Sequence, residues 1–393
     1  MGESPELFLP PPKPLRKGGV YFLGGRSAVS ANDPISLAFA LAEQGQGLTS
    51  PNPPVGAVVV RDGRVIGCGY HQQAGAEHAE VLALREAGRE AAGATLYVTL
   101  EPCNHYGRTP PCTEAILAAG IERVVVAFMD PNPLVRGKGL LTLARAGVRV
   151  TVGSGWDRAS ELYGPFQKFI TTATSYVALK MAVTLDGRIA TGGGDSRWIT
   201  SYPARRLGHR WRATFDGVIT GVGTVLRDNP QLTVRLVSGR NPRRFVLDSQ
   251  ARIPLGARCL EGEETVVVVT EVAPPKQLAA LEEMGVQVWR SPLGEDGRVD
   301  LAWFLRETAR RGLVSLLLEA GGHLSAAFQA LNLVDRYYFF FAPKLVGGSG
   351  VGPFEGPGKR LMEDAYPLRF LRWEQVGNDL LITAEPVREV EGW

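Results

Sequence analysis

Cysteine is scarce in this chain, with four among 393 residues, and that rules out the disulfide framework of a small secreted scaffold. Histidine is nearly as scarce, with five, so any place where the two types converge carries information. No stretch of 18 apolar residues occurs that could cross a bilayer as a helix. Charge of either sign barely dominates: 43 Lys and Arg against 40 Asp and Glu leave +3, too little to imply a nucleic-acid partner. What remains is a globular composition, 45% hydrophobic and 21% charged, at a length that predicts two or three domains. Residues 1–32 carry "LPPPKP" and two Gly-Gly pairs without helical or strand period. They lack the basic flank, apolar centre and small-residue cleavage site of a signal peptide, and the expectation is an N-terminal extension on a cytoplasmic protein.

Regular patterning starts at Asp33. Asp33-Pro34 reads as an N-cap with proline in the first helical position, and "ISLAFALAEQG" runs on to a glycine stop. "VGAVVV" and "VIGCGY", joined through "RDGR", predict a hairpin with an Asp-Gly turn. A helix follows from about His78 to Gly88. Then come a strand "ATLYVTL", a helix "CTEAILAAG", a strand "RVVVAF", a helix "GLLTLARAG" and a strand "VRVTVG". This alternation predicts a sheet layered with helices. A second alternation begins near Ser175. "YVALKMAVTLDGRIA" and "FDGVITGVGTV" read as strand-bearing, with the basic helix "PARRLGHRWRA" between them. "RRFVLDS", "TVVVVT", "SLLLEAGG" and "RYYFFFAPKL" are further strands, with the helix "HLSAAFQALN" before the last. The polar "TTATS" at 171–175 marks the boundary, giving domains 33–173 and 174–393. No internal repeat or coiled-coil heptad is present.

Chemistry concentrates at one place. "HAEVLALREAG" opens a helix with His78 and, two residues on, Glu80; "TLEPCNHYGRTPPCTEA" places Cys103 just past a strand and Cys112 at a helix start. One imidazole and two thiolates form a three-ligand zinc set that leaves a fourth tetrahedral position for water. A helix N-terminus lowers thiol pKa, which favours Cys112 as a thiolate. Glu80 is the expected group to take a proton from water and hand it to a leaving amine. The order His-x-Glu, then Pro-Cys, then Cys is that of zinc deaminases. His71 and His105 line the pocket or sit at its rim. Cys68, on a strand, and Cys259, in a loop, read as small apolar fillers. A deaminase acting on nucleic-acid bases would share this set but leaves residues 175–393 without a purpose, and a zinc-stabilised binding module has no need of Glu80.

Eight residues separate Cys103 from Cys112 where the general zinc-deaminase motif has two. With that spacing, "TSPNPPVGAVVV", "GYHQQAGAEHAE", "LKMAVTLDGRIA", "GDSRWIT", "GVGTVLRDNPQLTVR", "VLDSQARIP" and "LLLEAGGHL", the chain resembles the bifunctional riboflavin-biosynthesis deaminase–reductases from about residue 33 onward. The resemblance implies a cytidine-deaminase-like α/β/α sandwich followed by a dihydrofolate-reductase-like α/β domain. It implies zinc-dependent deamination of a phosphorylated diaminopyrimidinone, then NADPH-dependent reduction of its ribosyl group to ribityl. It further implies substrate contacts from Asn52, Ser196, Arg212, Leu232, Arg235 and Glu319. Cofactor contacts fall to Ala182, Trp198, Thr224, Asp228, Ser249 and the run Gly321, Gly322, His323, Leu324, Ser325, Ala326 and Ala327. Asn104 stands where the family usually has serine, and Ala320 interrupts its usual Glu-Gly-Gly. A homo-oligomer is expected, with neither nucleic acid nor membrane as partner. From the residues themselves, Gly321-Gly322 between a strand and a helix start can bring backbone N–H groups to a pyrophosphate. "GVGTVL" lacks the third glycine of the Rossmann fingerprint, so that fold is rejected. Arg205, His209 and Arg212 at i, i+4 and i+7 predict a basic helix face, with Arg212 gripping the substrate phosphate.

Overall fold

The computed structural model describes residues 33–107, 110–262 and 264–388, together with the backbone of three short strands, β1 (Leu15–Lys17), β2 (Val20–Phe22) and β3 (Val29–Ser30). The expected N-terminal extension lies otherwise outside the described residues. The chain divides between Gln167 and Lys168 into two compact units.

In the first unit the elements are α1 (Pro34–Ala42), β4 (Gly56–Arg61), β5 (Arg64–Tyr70), α2 (Ala79–Ala87), β6 (Thr95–Leu100), α3 (Cys112–Ala118), β7 (Arg123–Phe128), α4 (Lys138–Arg145), β8 (Arg149–Val152) and α5 (Trp156–Thr172). Asp33 caps α1 by accepting from the Ser36 N–H at 3.2 Å. Asp62 and Gly63 both take positive φ, +48° and +71°, as a two-residue hairpin turn matching strand twist demands. The sheet order is β5-β4-β6-β7-β8, with β4 antiparallel to both neighbours and β6, β7 and β8 parallel. Alternate residues of each strand feed opposite faces. Ala57 and Val59 pack with α2, α3 and α4, while Val58 faces α1. α5 holds Gly164 and Pro165 within its 17 residues. Burial of Ala159, Leu162 and Tyr163 overrides those breakers. The helix runs through Thr172, and the division into units falls within it.

The second unit contains β9 (Tyr176–Thr184), α6 (Tyr202–Thr214), β10 (Gly217–Gly221), α7 (Val222–Asp228), β11 (Arg243–Leu247), β12 (Thr265–Val269), α8 (Pro275–Glu283), β13 (Gln287–Arg290), α9 (Leu301–Arg310), β14 (Ser315–Leu318), α10 (Gly322–Ala330), β15 (Arg336–Ala342), β16 (Leu368–Val376) and β17 (Asp379–Pro386). They build a nine-stranded sheet in the order β13-β12-β11-β10-β14-β9-β15-β17-β16. It is parallel through β15, and the last two strands are antiparallel. Strands buried on both faces read as unbroken apolar runs, such as "TVVVV" in β12. One face packs Phe304 and Phe328 of α9 and α10 over Phe245, and the other receives α6, α7 and α8. "FDGVITGVGTV" contains strand only to Gly221. Helix α7 begins at the next residue, because the glycine-flanked valines continue with helical period into the buried Val225.

Candidate functional site

Two glycines of β5 decide where α2 sits. A Cβ at Gly67 would lie 2.2 Å from the Ala83 carbonyl oxygen, and one at Gly69 would lie 2.3 Å from that of Ala79. Only bare backbone lets the helix come this close. Its N-terminus is thereby fixed at the end of the sheet, with His78 as the N-cap residue and Glu80 in the first turn. Cys112 begins α3, and its backbone N–H donates to the Cys103 sulfur at 3.3 Å. The three side chains converge. His78 Nδ1 lies 3.1 Å from Cys112 Sγ and 3.5 Å from Cys103 Sγ, and all three ligand atoms fall within 4.8 Å of one another. Nitrogen and sulfur ligands of a single tetrahedral zinc ion sit roughly 3.5 Å apart, so the donor set fits that metal in type and spacing.

The electrostatics are those of a shared proton. The Cys112 thiol donates to Cys103 and, with help from His78, brings Cys103 down to about 4 against the penalty of burial. Cys112 is pushed upward by the same hydrogen bond and by burial. The bond to Cys103 also raises His78. Glu80, 3% exposed, is lifted to about 7, first by burial and then by the neighbouring Cys103 charge, with His78 opposing.

His71 is buried, and its Nδ1 meets the Glu77 carbonyl oxygen at 3.1 Å. That bond makes Nδ1 the donor, so Nε2 accepts from Asn52 Nδ2 at 3.2 Å. The His71 ring lies edge-on to His78 with centroids 5.4 Å apart, which places Asn52 one side chain from the candidate ligand. His105 is exposed. Asn104 accepts from the Thr113 hydroxyl at 2.8 Å, a role open to serine as well. Sequence reasoning missed Glu101, whose buried carboxylate accepts the N–H groups of Asp130, Gly137 and Gly139 at 3.2, 2.9 and 3.0 Å. It pins the 130–139 loop, where burial raises Asp130. A glutamate at the end of an apolar strand, with no basic residue near it in sequence, was the available signal.

In the second unit a cavity of about 330 Å³ opens at the ends of β9, β10 and β14. Its wall includes Ala182, Ser196, Thr224, Asp228, Glu319, Gly321, Gly322, His323 and Leu324 from the expected set, along with Lys180. Gly321 donates its N–H to the Thr224 hydroxyl at 3.2 Å. A Cβ at Gly322 would meet the Gly352 carbonyl oxygen at 2.8 Å, so the loop that crosses α10 requires glycine there. Of the remaining expected residues, Leu232 is buried in an apolar cluster, and Ser249 accepts from the Val299 N–H at 3.1 Å. Trp198 is exposed beneath the Arg205 guanidinium at 4.1 Å. Arg235 is exposed, with its backbone N–H bonded to His209 Nδ1 at 3.0 Å. Ser325 is buried, and Ala326 and Ala327 are half-buried on α10.

The three residues of the expected α6 face meet different partners. Arg205 turns to the Trp198 ring, His209 is buried, and Arg212 forms a forked pair with Glu319 at 2.6 and 2.9 Å. The third nitrogen of Arg212 donates to the Thr233 carbonyl oxygen at 3.1 Å. Each partner of the pair is 14% exposed. Burial by itself would raise Glu319, but Arg212, with Lys180 behind it, outweighs burial and holds it at about 2. Burial lowers Lys180, and it brings His209 to about 4 with the charges of Arg212 and Arg235 adding to the effect.

Comparison with known proteins agrees with this arrangement. Residues 30–128 match the cytidine and deoxycytidylate deaminase zinc-binding region, and residues 175–382 match the RibD C-terminal domain. The riboflavin biosynthesis protein RibD of Aquifex aeolicus is 44% identical over 350 residues, 88% of this chain and 96% of that one. This chain belongs to the RibD family. It therefore joins a zinc-binding deaminase domain to a reductase domain of riboflavin biosynthesis. The Acinetobacter baumannii RibD structure superposes with a TM-score of 0.80 at 40% identity, covering 91% of this chain and 99% of that one. A diaminohydroxyphosphoribosylaminopyrimidine deaminase/5-amino-6-(5-phosphoribosylamino)uracil reductase from Thermotoga maritima gives 0.79 at 36%, with the same coverage. No helix among the described residues is long and apolar enough to cross a membrane.

Proposed function

We propose that His78, Cys103 and Cys112 hold the zinc ion and that Glu80 is the proton carrier of deamination. The substrate is 2,5-diamino-6-ribosylamino-4(3H)-pyrimidinone 5′-phosphate, and the reaction takes place in the cytoplasm. Zinc, when bound, acidifies water to a pKa near 7. Glu80, buried within the first turn of α2, takes the proton of the attacking water on its carboxylate. It delivers that proton to the exocyclic nitrogen, which leaves as ammonia while the ring carbon gains oxygen. Asn52, held by His71, orients the ring. The observation that carries this reading is the convergence of one imidazole and two sulfurs beside a buried carboxylate on the same helix start.

In the second unit Gly321 and Gly322, which line the cavity at the α10 N-terminus, would hold the pyrophosphate of NADPH, since a helix start favours an anion. Ala182, Trp198, Thr224, Asp228, Ser249 and the rest of the 321–327 run complete its site. NADPH, when bound, supplies the hydride that turns ribosyl into ribityl. Ser196, Leu232, Arg235 and the Arg212–Glu319 pair position the substrate. Arg212 keeps Glu319 ionised and oriented, and the exposed Arg235 is the freer cation for the phosphate. Incubation with the diaminopyrimidinone phosphate, with and without NADPH, tests the reading by product mass. Deaminated product is expected in both cases and ribityl product only with NADPH. Ribityl formation without NADPH, or no ammonia release, overturns it.

A further inference from the structure

Arg212 and Arg235 bring guanidinium nitrogens to one acceptor. The Thr233 carbonyl oxygen lies 3.1 Å from the first and 3.4 Å from the second. Two like charges held this close repel one another. Glu319, the carboxylate that acts on both and on Lys180, is already engaged in the forked pair with Arg212. A third guanidinium adds to the surplus. Burial lowers Arg235, and the charges of Arg212 and then of Arg258 lower it further. Arg258, in the connection from β11 to β12, is exposed, and no carboxylate pairs with its side chain among the described residues.

The backbone fixes this neighbour in place. The loop that leaves α7 turns on Asn229 and Leu232, whose φ values are +43° and +58°. Asparagine is among the few residues that visit this left-handed region readily. There Asn229 closes α7 through its backbone N–H on the Val225 carbonyl oxygen. Its side-chain oxygen accepts the backbone N–H of Arg258 at 2.8 Å. Arg258 is thereby tied to the residue that directly follows Asp228 of the cavity wall, and the same loop carries Thr233 and Arg235.

We propose that Arg258 is a further phosphate-binding residue of the reductase site, sharing the 5′-phosphate of the substrate with Arg235. The proposal rests on the reading of Arg235 as the cation that meets this phosphate. A phosphate monoester carries roughly −1.5 to −2 charges at neutral pH. Two guanidinium groups without carboxylate partners match that charge, and their planar forks match its oxygens. Arg212 cannot supply the second charge, because Glu319 neutralises it. Arg258 therefore completes the grip, and Asn229 sets its position.

The test compares reductase kcat/KM for the deaminated, phosphorylated substrate with that for its phosphate-free counterpart, using the full zinc-loaded chain. In Arg258→Ala the ratio of the two should fall roughly 10-fold, mostly through the KM of the phosphorylated substrate. Arg258→Lys should recover part of it, as a point charge without the fork. A structural role would lower both substrates alike and leave the ratio unchanged. Calorimetric binding of the phosphorylated ribityl product should weaken by the same factor, with the Kd for NADPH unchanged. A wild-type ratio in Arg258→Ala, or an equal loss of NADPH binding, overturns the proposal. Arg235→Ala separates it from the reading on which it rests. A ratio lowered by Arg235→Ala but not by Arg258→Ala removes Arg258 alone, and a ratio lowered by neither removes both.

Discussion

The two candidate sites are built on opposite logics. In the first unit, four side chains of fixed chemical type meet at the starts of two helices and the end of one strand. In the second unit the cavity wall mixes glycines and small side chains with the charged Lys180, Arg227, Asp228, Glu319 and Glu355, and Glu319 is tied to Arg212 of α6. A metal centre tolerates few substitutions because coordination demands particular atoms, and a cofactor cleft tolerates many because it demands shape. The difference teaches that the loss of one residue should be all-or-none in the first site and graded in the second.

The sharpest break of that contrast is Cys103→Ser. Zinc content and ammonia release should both fall to background, while reduction of already deaminated substrate continues at the wild-type rate. Metal analysis with the two separate assays decides it, and undiminished zinc sinks the ligand assignment. Glu80→Gln comes next. It keeps the shape but cannot accept a proton, so deamination should drop roughly 10²- to 10⁴-fold with zinc retained. Near-normal turnover in that variant removes Glu80 from the mechanism.

Arg212→Ala probes the graded site, and the structure changes what it should do. Removing one partner of a buried ion pair leaves the other uncompensated, at a cost of about 3 kcal/mol or more, so the second unit should melt earlier as well as reduce poorly. Reductase kcat/KM should fall roughly 10- to 100-fold, with ammonia release unaffected. Arg212→Ala combined with Glu319→Gln should recover most of the stability and none of the reductase activity. Recovery of both would make the pair purely structural. The same pair sets a pH dependence. Glu319 is held at about 2 against an ordinary 4.5, a folded value below the unfolded one. Its stabilising contribution is therefore present above 4.5 and is lost as pH falls through about 2. The Glu319→Gln variant should show a flatter loss of stability over that window, measured by denaturation of the full chain at successive pH values.

Glu101→Gln gives the smallest effect. An amide offers one acceptor oxygen and turns its NH₂ toward a backbone N–H, so the 130–139 loop should loosen. A rise of about 10-fold in the KM of deamination is expected, with kcat nearly kept. A kcat loss without a KM change would place Glu101 in support of the metal instead of the loop.

Sequence by itself singled out the three candidate ligands that the fold brings together, the candidate proton carrier beside them and most of the alternation of strands and helices. Coordination chemistry restricts residue type, and the period-2 and period-3.6 patterns are local. It could not reveal α5, where Gly164 and Pro165 spoil the helical pattern and only packing against Phe39 and Leu100 restores it. Nor could it show that Arg212 is engaged by a glutamate 107 positions away, or that Glu101 holds a loop 36 residues on. Those partners are chosen by sheet order. β14, which ends just before Glu319, lies beside β10 and β9, and no periodicity along the chain encodes which strand becomes a neighbour. Tertiary structure alone decided them, because a buried charge takes whichever opposite charge the fold brings within reach.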